Sequence, residues 1–499
     1  MSLLGIDLGT SGCKVAAFAA HGQCLAQASR PYDMRQSQAG WAVLDSHEVW
    51  ARVREAIREV ASRTSHDPIT ALATSSFGEA MVPVSRDRRI LGNSILCMDA
   101  RGAEHVARLE QELGQEAFYR INPNILGPQY SLPKLLWLRE HEPALFQQAD
   151  HFLLWGDLVA FLLGCEPVTA NSLANRTLLF DLARNDWSDE LLAWSGIARQ
   201  RLGRVVPGGT VIGEVAPAVA AELNLPRGVK VVAGGHDQCC NALGSGCIEA
   251  GTAVCGIGTF ECITPCYAQI PLAAQMLAEN LNVEHHLLPG LYVSFLFNQA
   301  GALVKWFRDT FAADVAGDEE IYARLNAELP VEPTRLLTLP HFTPPLWPRS
   351  IPDSAGVILG LRTSTTRGEI LKSIMECETL YFADAMQSLQ RMGVHTNSFI
   401  ATGGGARSDA WLQIKADIFG IPFIRPRISE GSLLGAAMLA GISTGVFASA
   451  GEAASRFVAE DRTFLPDPTR HALYKEKAAL YRQIFPATRE LLKQIAPTP

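Results

Sequence analysis

Ten residues, Gly5-Ile6-Asp7-Leu8-Gly9-Thr10-Ser11-Gly12-Cys13-Lys14, constrain this chain more than any others. Leu3 to Ile6 reads as a short apolar strand and Lys14 to Phe18 as a second, so the ten residues form a hairpin. The turn Gly9-Thr10-Ser11-Gly12 is small enough for backbone N–H groups to approach an anion closely. Asp7, at a strand end, is a carboxylate able to hold the water shell of Mg²⁺. Lys14 supplies a fixed positive charge for phosphate oxygens. The pattern G-x-x-x-x-G-K-[ST] is absent, so this is no Walker loop. Taken alone, the stretch is equally a tight hairpin with an Asp and a Lys in water.

At 499 residues the chain exceeds one ordinary core, and two large domains are expected. A net charge of -8 gives no reason to expect nucleic acid or an anionic membrane as partner. No apolar run reaches membrane-spanning length and no signal-peptide core is evident, so a cytoplasmic location is expected. Eleven cysteines in a chain this long do not suggest a disulfide scaffold. Cys262 and Cys266 come nearest to metal spacing, but no second Cys/His pair follows, and structural zinc needs four convergent ligands.

After the hairpin, Cys24 to Arg30 reads as a third strand, and Asp45 or Ser46 caps a helix with Val49, Val53, Ile57 and Val60 on one face. Ile69 to Ser75 returns as a strand and ends near Gly78-Glu79, where the carboxylate is either a turn residue in water or a ligand-facing group. Asp99 and Arg101 either orient a polyol or a neighbouring loop, or form a structural ion pair. Val229 to Ala233 is a β-branched strand ending in Gly234-Gly235-His236-Asp237-Gln238. An Asp after a glycine pair at a strand end is either a helix cap or a carboxylate projected toward a ligand. Phosphoryl transfer to an alcohol needs such a carboxylate to take the hydroxyl proton. Asn241 to Gly246 is expected to connect the domains.

The second half repeats the opening logic. Thr252 to Ile257 is an apolar strand, followed by Gly258-Thr259 and another strand. Arg367 to Met392 reads as a long helix, and Phe399 to Thr402 as a strand running into Gly403-Gly404-Gly405-Ala406. Three glycines before a helix let backbone pack against a flat ring or a phosphate. Glu430 to Ala437 opens a helix of small residues suited to close packing.

Taken together and in order, these segments resemble the FGGY carbohydrate kinases of the actin-like ATPase superfamily, from Leu4 to about Gly445. The resemblance implies an α/β fold of two actin-like (ribonuclease-H-like) domains flanking an ATP/sugar cleft, divided as 1–246 and 247–499. It implies an ATP-dependent sugar kinase using Mg²⁺, with Asp237 as general base. The implied phosphate and nucleotide contacts are Gly9, Thr10, Ser11, Lys14, Gly258, Thr259, Gly404, Gly405 and Ala406, with Asp7 and Asp237 holding the metal largely through water. The implied sugar contacts are Gly78, Glu79, Asp99, Arg101, Gln129, Asp237 and Gln238. The substrate is a small sugar, a ketose (xylulose-like) or a polyol. A kinase of the quorum-sensing autoinducer, or a non-catalytic sugar- and nucleotide-binding protein, is the alternative. Xylulose kinases carry a Met-His-Gly where this chain has Phe77-Gly78-Glu79, and the family's Gly-Glu-Arg-x-Pro run is replaced by a stretch containing Pro344-Pro345. A homodimer is compatible with the family, and neither nucleic acid nor membrane is expected.

Overall fold

The computed structural model describes residues 1–315, 320–343, 351, 353–427 and 430–495; Pro344-Pro345 lies outside them. The chain packs as two compact units. One comprises Met1–Ile248, Asn282–Val293 and Glu430–Ala459; the other comprises Glu249–Leu281, Ser294–Ser429 and Glu460–Pro499. The packing therefore differs from the expected division at 246/247 by two segments, 282–293 and 430–459, which join the first unit.

The first unit is built on a six-stranded sheet of β1 (Ser2–Leu8), β2 (Gly12–Ala19), β3 (Cys24–Pro31), β4 (Ile69–Ser76), β5 (Val211–Glu214) and β6 (Lys230–His236), in spatial order β5-β6-β4-β1-β2-β3. β1, β2 and β3 pair antiparallel, while β1, β4 and β6 run parallel. The central strands are almost wholly buried, as apolar runs in parallel sheets are. Asp45 caps the helix Ser46–Arg63, accepting from the N–H groups of His47 (3.0 Å) and Glu48 (3.1 Å). Val49, Val53, Ile57 and Val60 of that helix pack into a core shared with Leu4, Ile6, Val15 and Leu72.

Asn241 does not begin a connection. It lies in the helix Asp237–Gly244, because the small faces of this helix and of Gly431–Ser443 close on each other. A Cβ on Gly244 or Gly435 would fall well inside van der Waals distance of the opposite helix's backbone, so only glycine permits this approach.

Six strands of the second, eight-stranded sheet belong to the second unit: β7 (Thr252–Ile257), β8 (Phe260–Tyr267), β9 (Leu296–Gln299), β10 (Ser398–Thr402), β11 (Phe423–Pro426) and β12 (Glu460–Phe464). It too sets an antiparallel hairpin and a third antiparallel strand beside two further parallel strands and an antiparallel edge. Strand for strand, this matches the first sheet in direction. Only the edge strand enters at a different point of the chain. The fold is thus one topology built twice.

Candidate active site

Register places the chemistry of the first unit at one edge of its sheet. Asp7 pairs with Ser75 across β1 and β4, and Gly235 pairs with the same Ser75 across β4 and β6. Three adjacent parallel strands thus end together, and Asp237 follows β6 directly as the first residue of a helix. Ligands bind beyond the carboxyl ends of the strands in open α/β sheets. The register of β6 shifts between Val232 and Gly235, and a Cβ on Gly234 would overlap the Thr74 carbonyl. The glycine pair therefore lets β6 bulge against β4 and re-aims the residues that follow.

Ser75 Oγ donates to Asp7 Oδ1 at 2.7 Å. Burial pushes the Asp7 carboxyl up to about 7, with the negative charge of Asp237 adding to the shift. The carboxyl of Asp237 is also raised, chiefly by burial and then by Glu79, while His236 works in the other direction. Two carboxylates raised by burial and by proximity form a donor set that a hard divalent cation suits, so these residues fit Mg²⁺.

His236 stands between two carboxylates. Its Nδ1 lies 2.9 Å from Glu284 Oε1 and its Nε2 lies 3.3 Å from Asp237 Oδ1. Burial disfavours the imidazolium, but Glu284 and Asp237 outweigh it and raise the histidine. Burial likewise opposes the charge of Glu284, which His236 and Arg176 together hold below the usual carboxylate range. Cys239 donates its S–H to Glu284 Oε1 at 3.1 Å. His236, Cys239 and Glu284 thus bring three ligand-type atoms together, each already engaged in a hydrogen bond.

Arg176 extends this cluster. Its Nε donates to Glu79 Oε1 at 2.7 Å, with Nη2 on the same oxygen, and its Nη1 lies 3.8 Å from Glu284 Oε2. The guanidinium lies 5.0 Å from the centre of the Tyr130 ring, beside Gln129. A Cβ on Gly78 would meet the Arg176 stem at 2.8 Å, so this glycine admits the arginine. Glu79 has φ 67, a left-handed conformation uncommon for a non-glycine residue. Ser131 Oγ holds the Glu79 carbonyl at 2.6 Å. Such strain concentrates where function needs it.

Asp99 and Arg101 bind each other. Asp99 Oδ1 accepts from the Arg101 backbone N–H and Nε at 2.9 Å each, while Oδ2 accepts from Nη2 and the Ala42 N–H at 2.6 Å each. The guanidinium sits 4.0 Å and 4.8 Å from the ring centres of Trp41 and Trp137. This is the ion-pair alternative of the two that the sequence left open.

The Gly9 N–H donates to the Gly12 carbonyl at 2.9 Å, and Tyr32 donates to the Gly9 carbonyl at 2.7 Å, which fixes the first glycine turn. Lys14 Nζ donates to both carboxylate oxygens of Glu430, at 2.8 and 2.7 Å. That pair is about 40% exposed, so it is weak and readily exchanged for another anion.

In the second unit Gly258 makes the equivalent turn, its N–H donating to the Phe260 carbonyl at 2.9 Å. Gly403 (φ 85) turns against the Ile257 backbone and Gly405 packs on the Ile257 side chain. This seats Gly404 to Ala406 beside Gly258 and Thr259. Nothing lies within 4 Å of a Cβ on Gly404, which leaves room for a ligand there. A depression of about 450 Å³ opens beside this loop, lined by Thr402, Gly403, Ala406 and Arg407 and by Arg425 and Arg427, with Arg425 Nη1 donating to the Ala406 carbonyl at 3.1 Å.

A duplicated sheet with a glycine turn in each hairpin and carboxylates at strand ends is the architecture that the resemblance to FGGY kinases implies. Residues 2–244 match the N-terminal domain model of the FGGY family of carbohydrate kinases, and residues 251–444 match its C-terminal domain model. The chain belongs to this family and is an ATP-dependent sugar kinase. It is 30% identical to a xylulose kinase of Bacillus subtilis (strain 168) over 491 residues, covering 98% of this chain and 97% of the relative. It is 28% identical to an autoinducer-2 kinase of Escherichia coli (strain SMS-3-5 / SECEC) over 516 residues, covering 97% and 94%. The crystal structure of xylulose kinase from Rhodospirillum rubrum superposes with a TM-score of 0.90 at 26% identity, covering 99% of this chain and all of that one. Among the described residues no helix is long and apolar enough to cross a membrane.

Arg176 and Glu284 were missed by the sequence reading. Arg176 stands in the polar stretch Asn175-Arg176-Thr177, where an arginine carries no local signal, and nothing local marks Glu284.

Proposed function

We propose that this kinase phosphorylates a small ketose or polyol, with Asp237 as the general base. The observation that carries the reading is the position of Asp237, directly after β6 beside the Asp7–Ser75 edge, in a setting that raises its basicity. Asp237 takes the proton of a substrate hydroxyl as that oxygen bonds to the γ-phosphorus. The bond from phosphorus to the bridging oxygen breaks and ADP leaves. Asp7 and Asp237 would hold Mg²⁺, and the chemistry it would supply there is neutralisation of phosphate charge. In the first unit Gly9 to Ser11 offer backbone N–H groups to phosphate oxygens, with Lys14 exchanging Glu430 for that anion; in the second unit Gly258-Thr259 have the corresponding role. Gly404 to Ala406 accommodate the adenosine.

Glu79 is the sugar-reading group in this account. Arg176 engages Oε1, and Oε2 accepts from a substrate hydroxyl. Gly78, Gln129 and Gln238 complete that surface, and Asp99 and Arg101 act by holding the wall behind it. The Glu79–Arg176 pair supports a polyol-like or open-chain substrate, and this observation keeps the autoinducer reading alongside xylulose. The enzyme works in the cytoplasm, and a homodimer is compatible with this reading.

ADP release with Mg·ATP across ketoses, alditols, aldonates and the autoinducer precursor tests the substrate. One compound stimulates turnover above the rest, and Glu79→Gln raises its KM by roughly tenfold, in line with a lost hydrogen bond to a charged group. An unchanged KM overturns the role given to Glu79.

A further inference from the structure

We propose that His236 and Glu284 are positioning residues for the general base, an inference that rests on Asp237 being that base. The geometry is a chain of contacts from sugar-reading group to base: Glu79, Arg176, Glu284, His236, Asp237. Glu284 is fully buried, and an ionised carboxylate only accepts hydrogen bonds. Its Oε1 takes His236 Nδ1–H at 2.9 Å and the Cys239 thiol at 3.1 Å, which fixes the plane of the imidazole.

The other ring nitrogen then falls 3.3 Å from Asp237 Oδ1. The ring edge thus lies against Oδ1 and leaves Oδ2 for the hydroxyl. His236 is itself anchored, since its backbone N–H donates to Ser172 Oγ at 3.1 Å. Glu284 arrives on 282–293, a hairpin far along the chain that packs into the first unit. Its placement there completes the base. An attacking oxygen must be held to within a fraction of an ångström, and a misplacement of about 1 Å costs on the order of 10²-fold in rate.

Two substitutions separate positioning from simple structure. In His236→Asn the amide nitrogen stands where Nδ1 stood, so the contact with Glu284 is kept and the contact with Asp237 is lost. In His236→Gln the amide reaches the place of Nε2, so the reverse holds. Each is measured for kcat, for KM of the stimulating sugar and of ATP, and for thermal midpoint, beside Asp237→Asn. Positioning through Nε2 predicts that His236→Asn lowers kcat by roughly 10²-fold with both KM values within about threefold, while His236→Gln recovers at least about tenfold of that loss.

Wild-type kcat in His236→Asn with a loss confined to His236→Gln overturns the proposal, because His236 then serves only the hairpin. If His236→Asn does not fold, Glu284→Gln decides. It keeps an acceptor of the same size without the charge, and its kcat falls at least about tenfold at unchanged KM if the proposal holds. An unchanged kcat in a folded Glu284→Gln overturns it. Turnover retained in Asp237→Asn sinks the base itself, an outcome distinct from wild-type His236 variants beside an inactive Asp237→Asn.

Discussion

Ser75 Oγ donates a 2.7 Å hydrogen bond to Asp7 Oδ1, and the two residues are register partners on adjacent parallel strands. The hydroxyl thus stabilises the charged form of a carboxylate that burial pushes up to about 7. Ser75→Ala removes that stabilisation, together with the weaker contact of the same hydroxyl with Cys240. We expect the Mg²⁺ concentration for half-maximal activity to rise roughly tenfold, in line with a lost hydrogen bond to a charged group, with the sugar KM unmoved. An unchanged Mg²⁺ requirement argues against Asp7 as the metal-holding carboxylate.

The Asp99–Arg101 pair makes a prediction about stability. Both side chains are nearly inaccessible, at 0% and 6% exposure, so removing one partner leaves the other charge buried. Asp99→Ala costs about 3–5 kcal/mol by the usual penalty for stranding a buried ion. Urea denaturation of wild type and variant measures it. A loss below about 1 kcal/mol means that Arg101 finds solvent or another partner when Asp99 is gone.

Two histidines give the chain an acid limit. Burial pushes His286 and His341 each down to about 4, against about 6.5 in an unfolded chain. Below pH 6.5 the unfolded state binds protons that the folded state refuses, so stability falls as pH drops from about 6.5 toward 4 and levels off below. His341 Nδ1 lies 2.6 Å from Ser354 Oγ, a contact that an asparagine amide can replace. His341→Asn is therefore expected to show a shallower loss of urea midpoint between pH 7 and 5 than wild type. Parallel curves contradict the assignment.

The hairpin, the third strand that follows it and the helix cap at Asp45 were legible because each is set by residues within a few positions of one another. Burial alternation and turn glycines carry that information locally. The duplicated topology was legible for the same reason, since Gly258-Thr259 repeats Gly9-Thr10 at the same point of a hairpin.

What escaped are pairings across long stretches of chain. Glu430 meets Lys14 from 416 residues away, and Glu284 meets His236 from 48. No periodicity encodes which carboxylate will face which cation. Asp99 and Arg101 show the opposite limit. They are two residues apart, and only the burial of both, with the guanidinium against Trp41 and Trp137, decides that they bind each other. The helix placed over Asn241 was misread as a connection because its stabilising partner, Gly431–Ser443, lies nearly two hundred residues downstream.

The central claim is that Asp237 takes the proton of the attacking hydroxyl. Single-turnover phosphorylation of the stimulating sugar by Asp237→Asn, with sugar and Mg·ATP binding measured separately, tests it most directly. The account predicts binding within a few-fold of wild type and a chemical step slowed by about 10²–10⁴-fold, the usual contribution of a positioned base. A chemical step at the wild-type rate in a variant that binds both substrates would contradict it.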